Sequence, residues 1–171
     1  IQIVSLGKRL NAALATKVQE LSQYRSEFFG KLRNLLGKQK DIRVVGDRFV
    51  FQSEVLFGSG SAKIGGAGET QLTQLATTLR DISKKIPAKI NWVLRVDGHT
   101  DRIPIRTPKY SSNWELSSAR AISVVKFLTA QGIPAERLAA TGFGEHQPLD
   151  AREDEIAFRR NRRIELKLTQ R

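Results

Sequence analysis

Cysteine and methionine are both absent from the 171 residues, and only two histidines are present. No apolar run approaches the roughly 18 residues of a membrane span. Without cysteine there is neither a disulfide framework nor a thiolate nucleophile, so an oxidising compartment is permitted but not demanded. The missing methionine, with Ile1 at the head of the chain, leads us to expect a piece of a longer protein whose signal or anchor lay upstream. His99 and His146 are far apart and form no His-x-x-x-His pair, which excludes an ordinary zinc site; no metal or other cofactor is expected. His99, between Asp97 and Asp101, is expected to hold its loop by hydrogen bonds. No Gly-x-Ser-x-Gly elbow occurs. The glycines from Gly58 to Gly68 have neither P-loop nor Rossmann spacing. The paired acids of a glycosidase could be claimed from Asp97 and Asp101, but alternate positions at one strand end more simply support a loop. No catalytic set emerges, and the expectation is that this chain is not an enzyme.

What is abundant is positive charge. The net charge of +12 divides evenly, +6 over residues 1–40 and +6 over 41–171, with its densest piece at Arg159, Arg160, Arg162 and Arg163. Such a surface suits any polyanion, including a cell wall rich in peptide carboxylates, and charge alone is a weak argument for nucleic acid.

Apolar residues at Leu6, Leu10, Leu14, Val18, Leu21, Tyr24, Phe28, Leu32 and Leu35 recur at steps of three or four and predict one amphipathic helix ending near Gly37. Its length suits a coiled coil, a dimerising arm, or a helix packed along the domain that follows. Ile42–Gly46 and Arg48–Gln52 read as a hairpin about Gly46-Asp47. Leu72, Leu75, Leu79, Ile82 and Ile86 mark a helix over 69–86. Trp92–Asp97 reads as a strand running into Gly98-His99-Thr100-Asp101. Asn113 is the expected N-cap of a helix stopped by Gly132. Residues 138–144 and 162–168 read as strands, the last half-exposed, with a loop between them. This order predicts an α+β fold: a two-layer sandwich of a mixed sheet with helices on one face, residues 41–171, preceded by a connector helix within 1–40.

Asp101 follows a strand, and Asn113 and Arg120, seven residues apart, share one side of a helix. A carboxylate and a guanidinium exposed together suit a zwitterion such as diaminopimelate, the first accepting its ammonium and the second forking onto its carboxylate. A plain Asp101–Arg120 salt bridge explains the same spacing.

Taken together, Val96-Asp97-Gly98-His99-Thr100-Asp101, Asn113-x-x-Leu116-Ser117-x-x-Arg120-Ala121, Gly132-Ile133-Pro134, Gly142-x-Gly144-Glu145 with Pro148, and Asn161-Arg162-Arg163-Ile164-Glu165 resemble the ordered signature of the OmpA-like C-terminal domain over about 42–168. That resemblance implies a non-catalytic periplasmic domain that binds the peptide stem of peptidoglycan. Asp101 and Arg120 would hold the diaminopimelate ends, and Asn113, Leu116 and Arg162 would line the same pocket. The longer loop Arg102–Tyr110 and Asn113-Trp114-Glu115-Leu116-Ser117 are similar to the flagellar stator, MotB-like branch. That branch implies a homodimer, an upstream transmembrane segment in the inner membrane, and an ion-channel (MotA/ExbB/TolQ-like) subunit as partner. The rival within the family is the wall tether of an outer-membrane protein or lipoprotein. Ala157-Phe158 departs from the Gly-Arg many members carry there, which argues for a relative of the orthodox stator protein.

Overall fold

The computed structural model describes residues 2–36 and 42–171, so the helix stop expected at Gly37 lies outside the described residues. Helix α1 (Gln2–Leu36) is followed by strands β1 (Ile42–Val45) and β2 (Arg48–Gln52) and the one-turn helix α2 (Ser53–Leu56). Then come α3 (Gly66–Ser83), β3 (Trp92–His99), α4 (Asn113–Ala130), a 3-10 turn at Ala135–Arg137, β4 (Leu138–Gly142), α5 (Glu155–Asn161) and β5 (Arg163–Gln170). The strands form one mixed sheet in the order β1-β2-β5-β3-β4. All neighbours are antiparallel except β3 and β4, which run parallel with α4 as their crossover.

Alternation along β3 and β5 sorts the two sheet faces, since successive side chains point opposite ways. Trp92, Leu94 and Val96 join Ile164, Leu166 and Leu168 in the core, against Leu72, Leu75, Leu79 and Ile82 of α3 and Ala121, Val124 and Leu128 of α4. The helical layer is therefore on one face, as the pattern predicts.

The carboxyl-terminal half of α1 belongs to that layer. Leu21, Phe28, Phe29, Leu32 and Leu36 are buried in the same core, and the Arg25 Nε–H donates to the Leu168 carbonyl at 3.0 Å. The buried stripe is displaced from the expected one at its end: Leu36 is buried while Leu35 is exposed. Nearer the amino terminus the helix leaves the domain, and Ile3, Val4, Leu6 and Leu10 are exposed.

Two glycines let α4 settle against the sheet. A Cβ on Gly98 would lie 2.1 Å from the Ser117 carbonyl oxygen, and one on Gly142 would lie 2.0 Å from Ser118 Oγ. Backbone and side chain thus meet where the other residue types have no room.

The opposite sheet face corrects two expectations. Far from being half-exposed, the charged positions Arg163 and Glu165 at the start of β5 are each 2 % exposed. Their burial is stabilised by mutual pairing: Glu165 accepts from Arg163 Nε at 2.7 Å and Arg48 Nη1 at 2.8 Å, and Arg163 also donates to the Gln147 carbonyl of the overlying loop. Asp97, opposite Glu165 in the register, accepts two bonds from Arg95. A buried carboxylate unpaired with a cation would be far more costly.

His99 makes none of the expected hydrogen bonds. Both its ring nitrogens are buried without a hydrogen-bond partner, and the ring stacks on Phe143 at 5.0 Å. Nε2 stands 3.3 Å from Glu165 Oε2, a contact that ionises only if the imidazole is protonated. Burial, reinforced by the nearby Arg163, pulls its pKa from 6.5 down to about 4 despite Glu165. The neutral ring is the folded form, so this group's contribution is complete above pH 6.5 and is lost as pH falls through 4. Acidification across that window is expected to remove on the order of 3 kcal/mol. Urea unfolding of wild type and His99→Phe at several pH values tests this: the variant should show a shallower acid decline, and parallel curves would assign the decline to other groups.

Candidate functional site

The site lies at the sheet end where β2 and β3 finish and β5 begins. Four segments converge there: the turn from α2 towards α3, the loop after β3, the first two turns of α4, and the α5–β5 junction. Asn113, Leu116 and Arg120 lie at i, i+3 and i+7 along α4, so one helical face delivers all three. Ser112, not Asn113, is the N-cap: its hydroxyl accepts from the Trp114 N–H at 3.2 Å. That frees Asn113 for the site, where its Nδ2 donates to the Ile103 carbonyl at 3.1 Å and to the Glu145 carboxylate. The backbone N–H of Ser53 bonds the Arg162 carbonyl at 2.9 Å, fastening α2 to the α5–β5 junction.

A cavity of about 440 Å³ opens among these segments. Every residue the sequence singles out, Asp101, Asn113, Leu116, Arg120 and Arg162, lines it, together with Glu54, Phe57, Gly58, Ile103 and Glu155. The size suits a small ligand or the end of a polymer side chain.

Its two cations are held differently. Arg162 sits among carboxylates, donating through Nη1 to Asp101, Nε to Glu54 and Nη2 to Glu155, each at 2.8 Å. Burial alone would depress this guanidinium, but the bonds to Glu155, Asp101 and Glu54 outweigh it and hold its pKa above the ordinary value. Arg120, 5 % exposed, meets only neutral acceptors: Nε donates to the Ser61 carbonyl at 2.8 Å and Nη2 to the Gly58 carbonyl at 3.3 Å. Its guanidinium lies 5.2 Å from the Phe57 ring centroid, where the π-face attracts a cation. Burial pulls its pKa down, although Glu54, Tyr110 and Asp101 act the other way; it remains a cation.

The simple Asp101–Arg120 salt bridge is therefore not formed. Asp101 pairs with Arg162, and its other oxygen accepts the Ile103 N–H at 3.0 Å. Among the described residues Arg120 forms no ion pair, and its Nη1 is not engaged in these bonds. A cation buried on neutral carbonyls can accept an anion as a further partner, and the carboxylates around Arg162 retain lone pairs that can accept an ammonium.

Glu54 and Glu155 escape sequence reasoning. Glu54 lies in a helix of only four residues and Glu155 in the first turn of a helix that reads as part of a loop. One available signal was Asp154, whose side chain caps α5 by accepting the Ala157 N–H at 2.8 Å. Ala157, at the departure noted in the sequence, is fully buried. The basic run disperses: Arg160 pairs with Asp150, Arg162 enters the cavity and Arg163 the buried cluster. Asn161 fastens the loop before α5, accepting the Leu149 and Asp150 N–H groups at 2.9 and 3.0 Å.

Comparison with known proteins agrees with this architecture. The chain is 37% identical over 118 residues to the uncharacterized protein YtxE of Bacillus subtilis, covering 68% of this chain and 46% of that protein; it thus spans under half the length of that relative. A MotB-like protein from Desulfovibrio vulgaris superposes with a TM-score of 0.73 at 24% identity, over 91% of this chain and 96% of that one, a likeness of fold. The cell wall anchor of the T6SS from Pseudomonas aeruginosa superposes with a TM-score of 0.66 at 29% identity, over 85% and 96%. The OmpA family model matches residues 56–162, which contain all the cavity residues the sequence singles out, and the chain belongs to the OmpA family.

Proposed function

We propose that this chain binds peptidoglycan without chemical turnover, taking the diaminopimelate of the peptide stem into the cavity between Asp101 and Arg120. The observation that carries the reading is the asymmetry of the two cations: Arg120 is buried without a carboxylate, while Arg162 is surrounded by carboxylates. The ligand carboxylate completes Arg120, and its ammonium joins the acidic group of Asp101, Glu54 and Glu155. Asn113 and Leu116 shape the wall between. Membership of the OmpA family and the likeness to a cell wall anchor support the same reading.

The location that follows is the periplasm. No described helix is long and apolar enough to cross a membrane, and attachment to the inner membrane through an upstream segment belongs to the proposal. So do a homodimer and an ion-channel partner of the stator kind. The exposed Ile3, Val4, Leu6 and Leu10 of α1 support its use as a connector that associates with another helix. An outer-membrane or lipoprotein tether would use the same cavity, and the upstream sequence separates the two.

Competition for sacculus binding tests the cavity. Soluble stem peptide containing diaminopimelate should release the protein from purified sacculi. The same peptide with lysine, which lacks the terminal carboxylate Arg120 would hold, should compete at least about 10-fold less well, as expected for the loss of one charge-assisted pair. Equal competition by the two peptides would remove the assigned role of Arg120.

A further inference from the structure

Beside the cavity stands an aromatic ledge that the peptide-binding reading does not use. Trp114, the helical residue after Asn113, remains 50% exposed, although an indole is among the most favourable groups to bury. It is nevertheless held firmly. Its ring stacks on His146 at 4.7 Å with an interplanar angle of 27°. The turn that carries His146 is fixed by Gly144, whose φ of 61° is left-handed and whose N–H donates to Ser117 Oγ at 3.0 Å. Glu145 of the same turn accepts from Nδ2 of the cavity-lining Asn113 and lies 3.6 Å from His146 Nε2. Cavity wall and ledge are thus one continuous structure, joined through Asn113 and Glu145.

We infer that the Trp114–His146 ledge is a saccharide subsite, stacking against a hexopyranose of the glycan strand while the cavity holds the stem peptide. This rests on the peptidoglycan reading above. The face of a pyranose presents polarised C–H bonds, which the negative face of an indole attracts, and the contact buries apolar area on both sides. The Glu145 carboxylate and the His146 imidazole at the ledge margin offer hydrogen bonds to hydroxyl and amide groups. Diaminopimelate is the third stem residue, so the two residues and the lactyl ether before it span up to about 10–11 Å at the extended limit of 3.3–3.6 Å per unit. Trp114 directly follows the cavity-lining Asn113, so the ledge begins one residue from the cavity wall.

The test compares the affinity of the free diaminopimelate tripeptide with that of the same tripeptide carrying its N-acetylglucosaminyl-N-acetylmuramyl disaccharide. For the wild type the disaccharide should tighten binding by about 10-fold, the scale of one good aromatic stack. Trp114→Ala should abolish that gain while leaving the tripeptide affinity within about 2-fold, and Trp114→Tyr should keep most of the gain. A wild type that binds both ligands equally, or a gain that survives in Trp114→Ala, overturns the saccharide subsite while leaving the peptide pocket standing. Equal weakening of both ligands in Trp114→Ala also overturns it, by making Trp114 a support of the cavity. Failure of the tripeptide to bind the wild type would overturn the peptidoglycan reading and the ledge with it.

Discussion

Asp101→Ala is expected to weaken sacculus binding by about 2–4 kcal/mol, roughly 30- to 1000-fold, because a ligand ammonium loses a desolvated carboxylate and Arg162 loses one of its partners. Arg120→Ala should lose binding on the same scale, since the other arginine lining the cavity, Arg162, is already paired with carboxylates. The folding consequences differ. Without Asp101 the Arg162 guanidinium keeps Glu54 and Glu155, so the Asp101→Ala variant should remain folded. Arg120→Ala removes the donor to the Ser61 and Gly58 carbonyls, for which water in the opened cavity can substitute. Arg120→Lys is the sharper probe: it retains the charge and loses the fork, and should still bind at least about 10-fold more weakly than the wild type. Pull-down with purified sacculi, read beside a thermal melt, decides. Undiminished retention of folded Asp101→Ala and Arg120→Ala would remove the proposed site.

Gly98→Ala is expected to be strongly destabilising for the addition of a single methyl group. The added Cβ would fall 2.1 Å from the Ser117 carbonyl oxygen, a backbone atom that cannot turn aside. Relief requires α4 to move off β3, and overpacking of this kind costs about 3 kcal/mol or more. Ser117 lies between Asn113 and Arg120 on the same helix, so the displacement also misplaces both cavity residues. Stability and binding should fall together. Gly66→Ala is the control: nothing lies within 4 Å of its Cβ position, and in the first turn of α3 the change should be neutral or stabilising by up to about 1 kcal/mol. Urea unfolding of the two variants checks the contrast; equal midpoints would mean that α4 and β3 separate at no cost.

How much of this was legible in advance varies with the reach of the signal. The period of apolar residues in Leu72–Ile82 and the alternation in Trp92–Val96 report local geometry, so α3 and β3 appear with nearly their observed bounds. Short helices carry no period: α2, four residues long, and α5, seven residues long, were hidden, and the carboxylates Glu54 and Glu155 with them. The i, i+3, i+7 placement of Asn113, Leu116 and Arg120 was readable because it belongs to one helix. The partner of Asp101 was not, because Arg162 lies 61 residues away in the chain and reaches it only after β5 has inserted between β2 and β3.

Charge behaved the same way. The sequence counts Arg159, Arg160, Arg162 and Arg163 as one basic run, but strand alternation and the start of β5 send Arg162 into the cavity and Arg163 to the opposite sheet face. His99, expected among hydrogen bonds, is instead left with a stacked Phe143 and a depressed pKa, since the loop that covers it brings a ring and not a polar group.

The sequence by itself determined that this is an α+β fold with a long amphipathic helix at its start, because apolar periodicity is written along the chain; that Asp101, Asn113, Leu116, Arg120 and Arg162 share a pocket was implied by the resemblance of its ordered motifs. Only the tertiary structure decided how the charges pair. An ion pair depends on which strand ends meet and which groups are desolvated there. That juxtaposition gives Arg162 its carboxylates and leaves Arg120 buried on neutral carbonyls.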